Sequence, residues 1–201
     1  MAETVDLLRL MTWLSPAFPV GAFSYSGGLE QVVADGAVRD AGTLQDWLES
    51  LLAHGNLWND AVLFAAAHRA AGDSGRLAEV VELAEALAGS AERHRETMLQ
   101  GEAFLAAAAS WPHPVLKGLG GAAAYPVAGG AVGGGPGVAA EGGGVTGQRH
   151  GVAVLAALEA RIAALAAAAA GSTLDDLGSA AMRAEIASLR HETLPTRLFR
   201  S

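Results

Sequence analysis

The chain has 201 residues, of which 13 are basic and 21 acidic, so its formal net charge is −8. This length favours one well-buried domain, and the negative charge without a Lys/Arg stripe argues against nucleic acid as a partner. The chain has no cysteine, which excludes disulfides, thiolate catalysis and thiolate metal ligands, and fits a reducing cytosol.

Apolar residues recur at helical spacing along most of the chain. The pattern predicts helices over residues 4–14, ended by Ser15-Pro16, and over 29–35. A third amphipathic helix is predicted to begin with Thr43 as its N-cap and to close at Gly55.

The helical pattern continues to the C-terminal end. Further helices are predicted over 60–71 and 77–87, over a long stretch from a Ser90 cap to Ser110, and from a Ser179 cap towards Leu189. No stretch alternates apolar and polar residues over strand length. The fold class predicted is therefore all-α, a single-domain helical bundle spanning residues 1–201 with a flexible C-terminal tail.

Residues 118–151 break this pattern because they hold more than half of the chain's 26 glycines. Each glycine inside a helix costs about 1 kcal/mol relative to alanine, so composition predicts a flexible loop or disorder. Two explanations stay open for this stretch: these residues are genuinely disordered, or this piece of the recorded sequence is aberrant.

The N-terminal end lacks the features of a signal peptide. Glu3 and Asp6 stand where a signal peptide needs positive charge. The most apolar late run, residues 162–170, is shorter than the roughly 20 residues that span a bilayer. We therefore expect a cytoplasmic protein.

A turn-rich segment follows the first predicted helix. Its distinctive residues are Ser15, Pro16, Pro19, Gly21, Phe23, Tyr25, Ser26, Gly28 and Glu30. The hydroxyls of Ser24, Tyr25 and Ser26 could suggest a nucleophile, but no Gly-x-Ser-x-Gly motif surrounds them. The preferred interpretation is a turn in which hydroxyls satisfy backbone groups, glycines take positive φ and aromatics fill a groove.

The C-terminal end, residues 190–201, is basic and apolar on an acidic protein. Its candidate docking residues are Arg190, His191, Glu192, Thr193, Arg197, Leu198, Phe199, Arg200 and Ser201. Arginines flanking an aromatic residue are typical of protein interfaces, where guanidinium groups meet carboxylates and the ring fills a pocket. No acid other than Glu192 lies within the segment, so it is predicted to order on binding a partner.

These two terminal segments resemble the UreF family, the urease accessory proteins that help load nickel into urease. The first segment is similar to the family pattern S-P-x-x-P-x-G-x-F-x-Y-S-x-G-L-E. The chain's end is similar to R-H-E-T-x-x-x-R-L-F-R-S. In the family, the glycine-rich region usually carries a core helix, and only Gly147-Gln148 matches the end of its pattern here.

The resemblance implies a non-enzymatic adaptor or chaperone without a cofactor. Its implied partners are UreD (also called UreH), the GTPase UreG and apo-urease, and it is expected to dimerise within that complex. The six histidines show no pairing at i+3 or i+4, so no metal site is predicted. His191 beside Glu192 is the one candidate for transient nickel contact, against a structural or docking role.

Two alternatives remain. The first is a GTPase-regulating adaptor with no direct nickel role, which would recruit UreG in the absence of UreD. The second is a hydrolase-like enzyme centred on Ser24 and Tyr25, which would need a histidine and a carboxylate from distant helices.

Overall fold

The computed structural model describes residues 8–9, 11–13, 15, 17–111, 113–132 and 148–200. Within these residues the chain forms nine α-helices with defined bounds and no strand, which confirms the all-α fold class. The helices are α1 (Leu29–Ala34), α2 (Ala41–His54), α3 (Asn56–Ala70), α4 (Ser74–Ala86), α5 (Ala91–Ala108), α6 (Pro114–Gly118), α7 (Tyr125–Val132), α8 (Gln148–Gly171) and α9 (Met182–His191). Short 3-10 helices cover Ala22–Ser24 and Leu174–Asp176. Residues 8, 9 and 11–13 are also helical, and the rest of the helix predicted over 4–14 lies outside the described residues.

Two of the three predicted N-caps differ in the structure. Asp40, rather than Thr43, caps α2: its carboxylate accepts the Thr43 amide at 2.8 Å, while the Thr43 hydroxyl accepts the Asp40 amide at 3.1 Å. Ser90 caps α5 as predicted, accepting the Arg93 amide at 3.1 Å. Ser179 does not cap α9; its hydroxyl donates to the His54 carbonyl, and the helix begins only at Met182. Asp40 prevails because a reciprocal capping box satisfies two free amides where Thr43 alone would satisfy one.

The described fold divides into two compact units, each built from three stretches of chain. The first unit comprises residues 1–22, 63–88 and 94–138, and the second comprises 23–62, 89–93 and 139–201. In the second unit, α2 packs against α8 and α9 packs against α1. The main core cluster of that unit consists of Val32, Val38, Leu44, Leu48, Leu51, Leu52, Val154, Leu158 and Ala187.

The apolar run in α8 is longer than predicted. By length and composition alone, the 20 residues Val152–Gly171, with mean hydropathy 1.9, would be enough to cross a membrane. Residues 162–170, the run expected from sequence, are only part of it. One side of this helix contributes Val154 and Leu158 to the core of the second unit, with Ile162 and Leu165 packed beside them. Only 17% of this apolar window is buried, so the packing covers one side of the helix and leaves most of its apolar surface exposed.

The first unit contains a helix where composition predicts a loop. Helix α7 (Tyr125–Val132) lies within the glycine-rich region, and its residues from Pro126 to Val132 are all buried. A Cβ added at Gly130 would overlap the backbone of Phe64. Here glycine permits close backbone approach, and the tight packing that results offsets its low helix propensity. Residues 133–147 of the predicted loop lie outside the described residues.

An aromatic cluster accompanies α7 in the first unit. Its rings meet at centroid distances between 5.5 and 6.5 Å, several of them edge to face. The members are Trp13, Phe18, Phe104, Trp111 and Tyr125. Burial raises the pKa of Tyr125 above its ordinary value of 10.0. These large rings supply bulk that the alanine-rich helices lack.

Candidate functional site

The carboxylate of Glu30 binds the backbone of the C-terminal residues that follow α9. Glu30, in the first turn of α1, accepts the backbone amides of Leu198 at 2.7 Å and Phe199 at 3.1 Å. Its Oε2 also lies 2.9 Å from Nε2 of His191. A motif residue of the N-terminal segment therefore meets the C-terminal segment directly.

His191 ends α9 and is completely buried. Its Nδ1 lies 2.7 Å from Oε2 of Glu92, opposite the contact with Glu30. Arg197 reaches the same Glu92 through its guanidinium, 2.5 Å from Oε1. We call Glu30, Glu92, His191 and Arg197 the C-terminal polar cluster; it joins α1, the start of α5, the end of α9 and the segment that follows.

The start of α5 positions Glu92. Ser90 caps the helix, and its hydroxyl lies 2.7 Å from that of Ser188 in α9. The Glu192 carboxylate accepts the amides of Ala91 at 3.0 Å and Glu92 at 3.4 Å. A carboxylate at a helix N-terminus satisfies free amides and complements the helix dipole, so the end of α9 and the start of α5 hold each other in place.

Gly28 allows α1 and α9 to approach closely. Its φ is +82°, and an added Cβ would lie 3.1 Å from the backbone nitrogen of Ser188. Gly21 also has a positive φ, of 73°, as predicted for this turn. Glycine is needed at position 28 for two reasons, because a side chain would be strained and would also press on α9.

The pKa of Glu30 is lowered from its ordinary value of 4.5. Burial acts in the opposite direction and is the largest single influence. Hydrogen bonds from His191, Leu198 and Phe199, together with attraction to His191, outweigh it. The ionised carboxylate is therefore the form that holds the C-terminal segment.

Apolar side chains on the outer side of this region face solvent. Leu198 is 85% exposed and Phe23 is 52% exposed. Helix α9 shows three more on its outer face, Met182, Ile186 and Leu189, while its smaller residues Ala184 and Ala187 face the core. Exposed large apolar residues beside arginines are typical of a surface that meets another protein.

The structure separates the predicted docking residues into internal and external ones. His191 is fully buried, and Glu192 and Arg197 contact α5. These three residues would therefore contribute to docking by positioning the C-terminal segment and not by contacting a partner. Arg190 lies 3.8 Å from Asp35. Arg190 and Arg197 therefore have local partners, contrary to the expectation from sequence. Leu198 and Arg200 are exposed, and Phe199 is half-buried. The Thr193 hydroxyl donates a hydrogen bond to the Arg190 carbonyl. Ser201 lies outside the described residues.

The predicted turn residues have structural contacts in the described part of the segment. The Ser26 hydroxyl accepts the Glu30 amide at 3.4 Å, and the Ser24 carbonyl accepts the Arg200 amide at 2.7 Å. Pro19 and Phe23 are exposed, Ser15 and Tyr25 are half-buried, and Pro16 lies outside the described residues.

Glu92, Ser188 and Asp35 belong to this site but were not predicted from the sequence. Glu92 follows the Ser90 cap by two positions, where an acidic residue is ordinary in any helix. No local signal distinguishes it from other first-turn acids; only the fold brings it to His191.

In the part of the chain that the structure describes, no group of three or more His, Asp or Glu residues is arranged to hold a metal ion. Both ring nitrogens of His191 face carboxylate oxygens, so in this arrangement neither is open to nickel.

Comparisons with known proteins agree with the two terminal motifs. The UreF family model matches residues 38–190. The chain belongs to the UreF family. A urease accessory protein UreF from Rhizobium etli is 56% identical, covering 99% of this chain and 98% of that protein. Those from Sinorhizobium medicae and Agrobacterium fabrum are each 57% identical, covering 100% and 97% of this chain and 98% and 96% of their own lengths.

The UreF family model ends at residue 190, immediately before His191, but the relatives align beyond it. Of the polar cluster, Glu92 lies inside the range that the family model matches, whereas Glu30 precedes that range and His191 and Arg197 follow it.

Proposed function

We propose that this UreF-family chain is a non-enzymatic adaptor in urease maturation. It acts with UreD and the GTPase UreG in the cytoplasm, as a single-domain protein that dimerises within the complex, so that nickel reaches apo-urease. The observation that carries this proposal is its identity of 56–57% to urease accessory proteins over nearly the whole of both chains. Nickel is the cargo of the assembly and not a cofactor of this chain.

The external surface beside the C-terminal polar cluster is the proposed contact with UreD. Leu198 is 85% exposed although its backbone amide is fixed on Glu30. Arg200 is exposed, and its amide is fixed on the Ser24 carbonyl. A backbone held on both sides presents these side chains at a low entropic cost of binding, which favours docking.

The contacts around Ser24 support a structural role for the N-terminal turn. Its carbonyl holds Arg200, and the neighbouring Ser26 hydroxyl accepts an amide of α1. We expect Ser24→Ala to leave urease activation in cells nearly unchanged, because the backbone contact survives the substitution. Complete loss of activation by a folded Ser24→Ala protein would favour the hydrolase-like alternative.

Co-purification tests the adaptor role. Tagged wild-type chain is co-expressed with UreD and UreG, and the recovery of both is measured along with the nickel content and activity of urease. We expect UreD to be recovered in the absence of UreG, and urease to stay nickel-free when the chain is deleted. Recovery of UreG without UreD, with normal nickel loading in the deletion strain, would instead favour the GTPase-regulating adaptor.

Leu198→Asp tests the proposed contact surface. The substitution leaves the backbone bond to Glu30 possible but places a charge on the outward face, so UreD recovery should fall at least about tenfold. Leu87→Asp is the matched control, since Leu87 is also exposed, at 39%, but lies at the end of α4 in the other unit. Equal UreD recovery from both variants would contradict the docking role.

A further inference from the structure

The contacts of the two ring nitrogens of His191 bear on the protonation state of the ring. Both ring nitrogens face oxygens of glutamate side chains, Nδ1 at 2.7 Å from Glu92 and Nε2 at 2.9 Å from Glu30. An ionised carboxylate only accepts hydrogen bonds, and a neutral imidazole has one N–H and one lone pair. A neutral ring would thus direct a lone pair at one carboxylate inside a site where the ring has no exposure to solvent.

The charges around the ring balance only if it is an imidazolium. Glu30 from α1 and Glu92 from α5 face it, with side chains 12% and 6% exposed, and Arg197 bonds Glu92 from the following segment. Two carboxylates then meet two cations. The nearby Glu192 accepts backbone amides at the start of α5, and Arg190 lies beside Asp35, so both interact outside this set. Buried charges are tolerated only when they are paired and hydrogen-bonded.

We propose that His191 is a doubly protonated imidazolium whose second proton latches residues 197–199 onto the second unit. Glu30 connects the His191 ring to residues 197–199. Its Oε2 contacts both the ring and the Phe199 amide, and its Oε1 accepts the Leu198 amide. When the ring loses its second proton to solvent, one carboxylate is left facing a lone pair. Glu30 is the more exposed of the two and can turn outward. That movement breaks its bonds to the Leu198 and Phe199 amides, and among the described residues the segment is then held only by Arg197 on Glu92 and by the Arg200 amide on the Ser24 carbonyl.

This latch belongs to the isolated chain and does not depend on the proposed role in urease maturation. The test uses full-length protein labelled with ¹⁵N-histidine. Long-range ¹H–¹⁵N spectra are recorded as pH is raised, and the His191 signals are assigned with His191→Gln. At neutral pH both ring nitrogens should show imidazolium shifts. Protection factors of the Leu198 and Phe199 amides should fall over the same pH interval in which the ring becomes neutral.

The expected fall in protection is about ten- to a hundredfold, as for the loss of a charge-assisted hydrogen bond. His191→Gln should lower the same protection factors at neutral pH. His94→Gln should not, since His94 is part-exposed and pairs with Glu85 in the first unit. A neutral ring at neutral pH with both amides protected would overturn the proposal. So would unchanged protection through the ring's deprotonation, which decides the matter even if His191→Gln fails to fold.

Discussion

Glu30 connects three parts of the second unit through a single side chain. It sits in the first turn of α1, contacts His191 at the end of α9 and accepts the amides of Leu198 and Phe199. The ionised form is needed for all of these contacts, because only a carboxylate can accept from every partner at once. The stability of these contacts therefore depends on pH through the protonation of Glu30.

The lowered pKa of Glu30 predicts a loss of stability in acid. Since its pKa in the folded protein lies below the ordinary 4.5, the unfolded chain binds the proton more tightly. Its stabilising contribution is complete above the unfolded pKa and is lost as pH falls through the folded one. We expect Glu30→Gln to lower the free energy of unfolding at pH 7 and to reduce its dependence on pH below about 5.

Chemical unfolding followed by circular dichroism between pH 3 and 7 measures this effect. Glu82→Gln, which removes an exposed carboxylate of α4, is the control for loss of charge alone. An unchanged acid profile in Glu30→Gln would show that Glu30 is not a source of the pH dependence.

Gly28 is the second residue that cannot be replaced without strain, because its φ is positive and its backbone lies close to α9. We expect Gly28→Ala to destabilise the protein by more than the about 1–2 kcal/mol of left-handed strain, because its Cβ would also press on Ser188. Gly36→Ala is a matched control: Gly36 has a φ of +73° but nothing within 4 Å of its added Cβ. The difference between the two unfolding free energies isolates the contact with α9. If the two variants have equal free energies of unfolding, the contact of the added Cβ with Ser188 does not contribute to the destabilisation.

At the scale of elements, α7 shows where composition misleads. Its glycines lower helix propensity, yet residues Pro126–Val132 are all buried. The helix is stabilised by packing that only glycine permits, since Gly130 lies directly against the backbone of Phe64. Propensity is a weak local preference, and tertiary contact outweighs it here.

Gly130→Ala tests this explanation of α7. Alanine would raise helix propensity by about 1 kcal/mol, but its Cβ would overlap the Phe64 carbonyl, and overpacking costs about 1–3 kcal/mol or more. We therefore expect net destabilisation. Gly171→Ala at the end of α8 meets nothing within 4 Å and should be neutral or slightly stabilising. Thermal unfolding of both variants measures the difference, and a stabilised Gly130→Ala protein would contradict close packing.

At the scale of the whole chain, contacts far apart in sequence hold the second unit together. That unit draws on residues 23–62, 89–93 and 139–201, and the polar cluster takes at least one residue from each stretch. The C-terminal end is therefore part of the fold of this unit as well as the proposed docking segment.

Deleting residues 197–201 should destabilise the protein by about 1–3 kcal/mol, because Glu92 loses Arg197 and Glu30 loses two amide donors. His191 and α9 remain, unlike in a truncation from Arg190, which would remove a fully buried side chain. Urea unfolding followed by circular dichroism measures the change, with deletion of Ser201 alone as control. Identical unfolding midpoints for the two truncations would show that the end contributes no stability.

Much of the helical architecture was predictable because it depends on local spacing. The i, i+3, i+4 pattern from Leu44 to Leu52 places one apolar face on α2, and that face is the buried one. The terminal motifs also identified the family before any contact was known. The predicted cap of α2 and the predicted start of α9 were wrong, because a cap depends on which of several competing side chains satisfies the free amides.

The sequence by itself determined the all-α class, most helices, the positive φ of Gly21 and Gly28, and membership of the UreF family. Only the tertiary structure decided that α7 is a helix and that His191 is buried between Glu30 and Glu92. The physical reason is the same in both cases. Helical periodicity and turn chemistry are local, whereas close glycine packing and the pairing of buried charges depend on residues brought together from distant parts of the chain.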